Sequence, residues 1–124
     1  MSDPKRILVC GARDYTDAKK IHTELSNLLH AYGPFILIEG EARGADRIAR
    51  NWGDRHLPRM NIKPFPANWK RFGRGAGPIR NRQMLELGKP DIVLAFGGKD
   101  GTGTNNMVKI AKRAGVFVRE YDRD

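Results

Sequence analysis

The sequence predicts an α/β fold, a Rossmann-like three-layer sandwich with a mostly parallel five-stranded sheet. Short apolar runs alternate with helical patterns along the whole chain. The runs are continuous rather than alternating in polarity, and several end in loops rich in glycine, arginine and small polar residues. Strands buried on both faces need continuous apolar runs, and parallel neighbours need a crossover helix between them.

Each element has its own signal. Residues 6–10 read as the first strand. Residues 17–32 read as a helix, with Ile21, Leu25, Leu28 and Leu29 on one face and Thr16 or Asp17 as N-cap. Residues 35–38 form a second strand, and 45–56 a second helix opened by Gly44-Ala45-Asp46. A third strand falls near 61–65, where Pro58, Pro64 and Pro66 predict a sheet edge, since proline has no N–H to donate to a ladder. Pro78 suits the first turn of a third helix that runs to Leu87 and stops at Gly88-Lys89-Pro90. Strands at 91–96 and 116–121 flank a fourth helix, 104–114, with Gly115 as its stop. No repeat, linker or low-complexity stretch interrupts the pattern, so the 124 residues are expected to form one domain, 1–124.

Composition narrows the chemistry. Hydrophobic residues make up 40% and charged residues 30%, no apolar run reaches membrane-spanning length, and no leader pattern opens the chain, so a cytoplasmic protein with no membrane partner is expected. One cysteine excludes an internal disulfide, and three scattered histidines offer no metal-ligand spacing; neither metal nor cofactor is expected. The net charge of +9 calls for an anionic partner. Its densest acid-free patch holds Lys70, Arg71, Arg74, Arg80 and Arg82 beside Trp69 and Phe72. Cations among aromatics can clamp one nucleotide or a single-stranded nucleic acid, and a solvated basic surface has the same composition.

The loops carry the functional signal. Between the apolar run 92–95 and a helix lies Phe96-Gly97-Gly98-Lys99-Asp100-Gly101-Thr102-Gly103-Thr104. Free backbone N–H groups and the helix dipole make such a turn a phosphate cradle. No Gly-Lys pair here precedes Ser or Thr, which excludes a Walker P-loop, and the glycine spacing and position do not fit the dinucleotide fingerprint. Related loops follow the other strands: Cys10-Gly11-Ala12-Arg13-Asp14, then residues 40–46, then residues 73–81. Open parallel sheets bind ligands at the carboxyl ends of their strands, so these loops share one rim.

The candidate ligand-binding residues are Gly11, Arg13, Arg43, Gly44, Asp46, Trp69, Arg80, Asn81, Gly97, Gly98, Gly103 and Thr104. Arg80 pairs either with a phosphate or with a carboxylate such as Asp14 or Asp46, and Arg13 has a similar choice. Asp46 accepts from a ribose hydroxyl or stabilises a helix start. Trp69 stacks on a base or closes the core under a proline-rich loop. Cys10 reads as a small core residue and not a nucleophile, because no histidine lies near it in sequence. His22, His30 and His56 have no expected catalytic task. Glu39 and Glu41, at the rim of the second strand, are the carboxylates nearest to a catalytic position. No catalytic residue is assigned.

Taken together, Gly-x-Arg-Asp at 11–14, Ala-Arg-Gly-Ala-Asp-Arg-Ile-Ala at 42–49, Trp69, the run 73–84, and Ala-Phe-Gly-Gly with Gly103-Thr104 resemble the YspA-like, YpsA-related branch of the SLOG superfamily. The resemblance spans about 6–118. It implies a Rossmann-like domain with its first and fourth strands adjacent, binding nucleotides or nucleotide-derived ligands, and it allows a homodimer. More distant similarity reaches DNA-processing protein A and the Lonely Guy phosphoribohydrolases. In the latter, an arginine helix and a glycine-rich loop are followed by a glutamate three residues after the loop's threonine. Here that position is Met107, and the loop between Gly98 and Gly103 is longer. Asn105 and Asn106 offer no proton transfer at neutral pH. The expected function is therefore sensing or sequestration of a phosphate-containing, nucleotide-derived small molecule, ADP-ribose-like or cyclic. An N-glycosidase or phosphoribohydrolase is the alternative, and a nucleic-acid-binding protein the second.

Overall fold

The computed structural model describes residues 3–97 and 102–122. It shows a five-stranded, all-parallel sheet in the order β3-β2-β1-β4-β5. The strands are β1 (Arg6–Gly11), β2 (Ile36–Glu39), β3 (Ile62–Pro64), β4 (Ile92–Phe96) and β5 (Phe117–Tyr121); the helices are α1 (Ala18–Tyr32), α2 (Ala45–His56), α3 (Trp69–Phe72), α4 (Ala76–Glu86) and α5 (Thr102–Arg113). The expected α/β class holds, with every strand pairing parallel rather than most of them.

Two apolar layers cover the sheet. Ile7, Val9, Leu37 and Leu94 face α1 and α2, where they pack with Ile21, Leu25 and Trp52. Leu8, Ile38, Val93 and Ala95 face the other way, against Met84 of α4 and Met107 and Ala111 of α5. In β1, β2 and β4 the alternation is therefore between two buried faces, which is why these strands show unbroken apolar runs, whereas the edge strands β3 and β5 are largely exposed. Asp17 caps α1, its Oδ1 accepting from the Lys20 N–H at 3.1 Å. β3 is an edge strand of three residues, as its prolines require.

Three details depart from the sequence reading. A single helical turn, α3, and a 3-10 turn, Gly73–Gly75, precede α4. α5 begins at Thr102, two residues before the expected start at Thr104, so Gly103 lies within its first turn. At the start of α2 the N-cap is Gly44, with no side-chain cap, and the Asp46 carboxylate is turned away to another task. The first and fourth strands are neighbours, so the strand order reverses between them.

Candidate functional site

The carboxyl ends of β1, β2 and β3 meet at a cleft of about 280 Å³ lined by Arg13, Gly40–Arg43, Pro66, Ala67, Trp69 and Arg80. It lies to one side of the β1/β4 reversal. Arg13 reaches over the Trp69 ring, with its guanidinium carbon 5.3 Å from the ring centroid. Trp69, 48% exposed, leans its far edge toward Gly77. Arginines from three separate segments converge on this space, a concentration of positive charge beside one aromatic face.

The wall between β2 and α2 is built from buried charges. Asp46 accepts from the Gly40 N–H at 2.9 Å and from the Ala42 N–H at 3.4 Å, drawing the loop after β2 into a tight curve. The Gly40 carbonyl in turn accepts from Nη1 of Arg80 at 2.5 Å. Arg80 Nε donates to Asn81 Oδ1 at 3.0 Å, and Asn81 Nδ2 donates to the Gly103 carbonyl and to Asn106 Oδ1, both at 3.0 Å. One chain of hydrogen bonds thus runs from α2 across the rim to the first turns of α5. Burial pushes the Asp46 carboxyl up to about 6, against the opposing pull of Arg80 and the two backbone N–H donors. Burial also pushes Arg80 down from the ordinary guanidinium value.

Close approaches constrain two glycines, one by side chains and one by backbone. A β-carbon on Gly40 would run into Arg80 Nη1 and lie 2.8 Å from Cζ and 3.0 Å from Asp46 Oδ2. Gly44 has φ of 77°, and a β-carbon there would collide with the Ala12 carbonyl oxygen. Between them Glu41 adopts φ of 56°, unusual for a residue with a side chain, and its N–H donates to Glu39 Oε1 at 2.6 Å. Glu39 ends β2 with no exposed surface, and its Oε2 has no hydrogen-bond partner among the described residues. Arg50 Nη1 stands 3.5 Å from that oxygen, close enough for attraction but without hydrogen-bond geometry. Burial, the strongest influence, pushes Glu39 up to about 7. Glu39 faces α2 and does not line the cleft, although it holds the residue that does.

The sequence-derived candidates separate accordingly. Arg13, Arg43, Trp69 and Arg80 line the cleft. Asp46 and Asn81 lie behind it, Asp46 Oδ2 and both polar atoms of the Asn81 amide engaged by protein, and Gly44 permits the approach of the β1 and β2 loops. Gly11 serves close packing, since a β-carbon would stand 2.5 Å from both Ala45 Cβ and the Phe96 carbonyl oxygen. Gly97, Gly103 and Thr104 do not line the cleft; Gly97 donates its N–H to the Tyr121 carbonyl, and Thr104 is buried. Gly98 lies outside the described residues. Met107 is fully buried in the sheet-facing core, so an apolar side chain suits its surroundings and a carboxylate would not. Cys10 is likewise buried, with its thiol pushed up by desolvation. The sequence reading passed over Gly40, whose signal was a glycine directly after a strand and six residues before an aspartate.

The sequence model of the YspA, cpYpsA-related SLOG family matches residues 5–72, more than half of the chain. The chain belongs to that family. It is also similar to the Gene 61 protein of Mycobacterium phage D29, with 33% identity over 122 residues that cover 94% of this chain and 96% of that protein. No solved structure matches it. The part of this SLOG chain within the family match contributes Arg13, the loop 40–43 and Trp69 to the cleft, whereas Arg80 comes from beyond it. Membership points to nucleotide-related binding. No helix among the described residues is long and apolar enough to cross a membrane, and those residues hold no cluster of three or more potential metal ligands.

Proposed function

We propose that this protein binds a nucleotide-derived, phosphate-containing small molecule in the cleft at the carboxyl ends of β1–β3, and that it retains the molecule without converting it. The observation that carries the reading is the convergence of Arg13, Arg43 and Arg80 on one cleft beside the half-exposed Trp69 ring. Guanidinium groups pair with phosphate oxygens through charge-assisted bonds, and an indole offers a base a stacking surface. A volume of about 280 Å³ sits at the small end of ligand sites, enough to enclose one nucleotide unit, with a larger ADP-ribose-like or cyclic ligand extending past the rim.

Arg80 is held by Gly40 and Asn81, so a phosphate would meet a pre-oriented guanidinium, while Arg13 and Arg43 are exposed and close from outside. The case against turnover rests on residue types. Glu41, the carboxylate that lines the cleft, has its backbone fixed by Glu39, and the position that carries glutamate in the phosphoribohydrolases is the core residue Met107.

The test is calorimetric titration with nucleoside monophosphates, ADP-ribose and cyclic dinucleotides, alongside chromatography for free base. Arg43→Ala and Arg13→Ala are expected to weaken the binding of any ligand found by about tenfold each, the loss of one charge-assisted pair. Folded variants with unchanged affinity would remove the cleft from the binding site. Multiple turnovers abolished by Glu41→Gln would replace retention with glycosidic hydrolysis.

A further inference from the structure

The charge of this chain is distributed very unevenly. Residues 55–85 contain eight arginines and lysines and no aspartate or glutamate, in a chain whose net charge is +9. In the fold this segment runs from the end of α2 through the edge strand β3, α3 and α4. Arg80 alone among its eight cations is buried; Arg59, Lys63, Lys70, Arg71 and Arg74 are exposed, and none of these five is ion-paired with a carboxylate among the described residues.

Exposed rings accompany the charge. Trp69 is 48% and Phe72 39% exposed, and they stand three residues apart on the single turn of α3, so both rings rise from neighbouring positions on one side. Arg71 lies over the Phe72 ring at 5.1 Å. Two exposed aromatics side by side among cations form the combination of stacking faces and charge that single-stranded nucleic acid engages.

We propose that the surface formed by α3 and the turn after it binds single-stranded nucleic acid, with phosphates along Lys70, Arg71 and Arg74 and bases on Phe72 and Trp69. The chemistry favours a single strand. Unpaired bases expose the π-faces that Phe72 and Trp69 can receive, whereas duplex readout relies on a helix or ribbon long enough to enter a groove, and α3 is four residues long. An anionic bilayer would engage the cations but gives the two rings no stacking partner. Trp69 also lines the cleft, but Lys70, Arg71, Phe72 and Arg74 do not, so substitutions at these four separate this surface from the site proposed above.

The experiment is fluorescence anisotropy with a labelled 20-nucleotide oligo(dT), at several salt concentrations, on the full chain. Wild-type protein is expected to bind with a logarithmic affinity that falls linearly with log salt. The triple substitution Lys70→Ala, Arg71→Ala and Arg74→Ala should flatten that slope by about 2, as loss of three single-strand phosphate contacts requires. Phe72→Ala should weaken binding about 5- to 160-fold at every salt concentration while leaving the slope unchanged. Nucleotide binding in the cleft should be unchanged in both variants, so failure of one proposal does not imply failure of the other. Melting curves confirm that the variants fold, which is expected because every replaced side chain is exposed. Absence of oligonucleotide binding at low salt, wild-type affinity in the triple variant, or equal affinity for a duplex or for phosphatidylserine vesicles would overturn the proposal.

Discussion

Charge is handled in opposite ways in two adjoining regions of this molecule. Around the end of β2, Glu39, Asp46 and Arg80 are buried and their oxygens and nitrogens are largely turned on the backbone, fixing the curve of residues 40–44. In the segment 63–74, by contrast, Lys63, Lys70, Arg71 and Arg74 stand in water with no acidic neighbour in sequence. The first arrangement shapes a cavity at the expense of desolvated charge. The second leaves charge available to something outside the molecule. Stability and recognition are therefore carried by different ionisable groups, and substitutions can tell them apart.

The largest effect is expected at Asp46. Asp46→Ala leaves two backbone donors unsatisfied and Arg80 buried without its nearby counter-charge, a loss on the order of 3–5 kcal/mol measured by denaturant unfolding. Little or no loss would mean that water enters the rim and that the region is not dry. The next effect concerns pH. Glu39 is raised in the folded state from 4.5 to about 7, so the native protein holds a proton that the unfolded chain releases first. Its stabilising contribution is fully present below about pH 4.5 and is lost as pH rises through 7. The span corresponds to roughly 3 kcal/mol at about 1.4 kcal/mol per pH unit. Unfolding free energies for wild type and Glu39→Gln should diverge between pH 5 and 8, with the variant showing the flatter profile; parallel profiles would show that Arg50 compensates the carboxylate fully. The smallest effect belongs to the basic surface. Lys70→Ala and Arg74→Ala should each change stability by no more than about 0.5 kcal/mol, and a larger change would place these side chains in the architecture after all.

The same contrast explains how far the sequence could be read. Strands and long helices were legible because burial on two faces writes itself as unbroken apolar runs, and Asp17, Pro64 and Pro78 punctuate them as local chemistry requires. Arg13, Arg43, Trp69 and Arg80 were legible as a group because loops at one end of a parallel sheet must share a rim. The role of Asp46 was not. An aspartate in a first helical turn satisfies the same local pattern whether it stabilises the helix or reaches back to Gly40, and only the path of residues 40–44 decides between them. Gly103 and Thr104 were legible as the amino end of the last helix, where a phosphate cradle is expected. What no window of sequence contains is the contact across 22 residues by which the Gly103 carbonyl accepts from Asn81. Glu39 was visible as a carboxylate near the rim, but its complete burial follows from Arg50 and α2 closing over it.

The chain's two tryptophans sit in opposite surroundings. Trp52 is 1% exposed, stacked between Phe35 and His56 with its indole N–H on Ser26 Oγ at 3.2 Å, whereas Trp69 stands at the cleft with nearly half its surface in water. The molecule thereby contains two optical reporters of different colour. Emission from the enclosed indole follows the integrity of the α1–α2 layer, and emission from the solvated one, lying further to the red and open to quenchers, follows whatever enters the cleft or settles on α3. With Trp52→Phe the remaining signal reads occupancy, with Trp69→Phe it reads unfolding, and neither needs an attached dye.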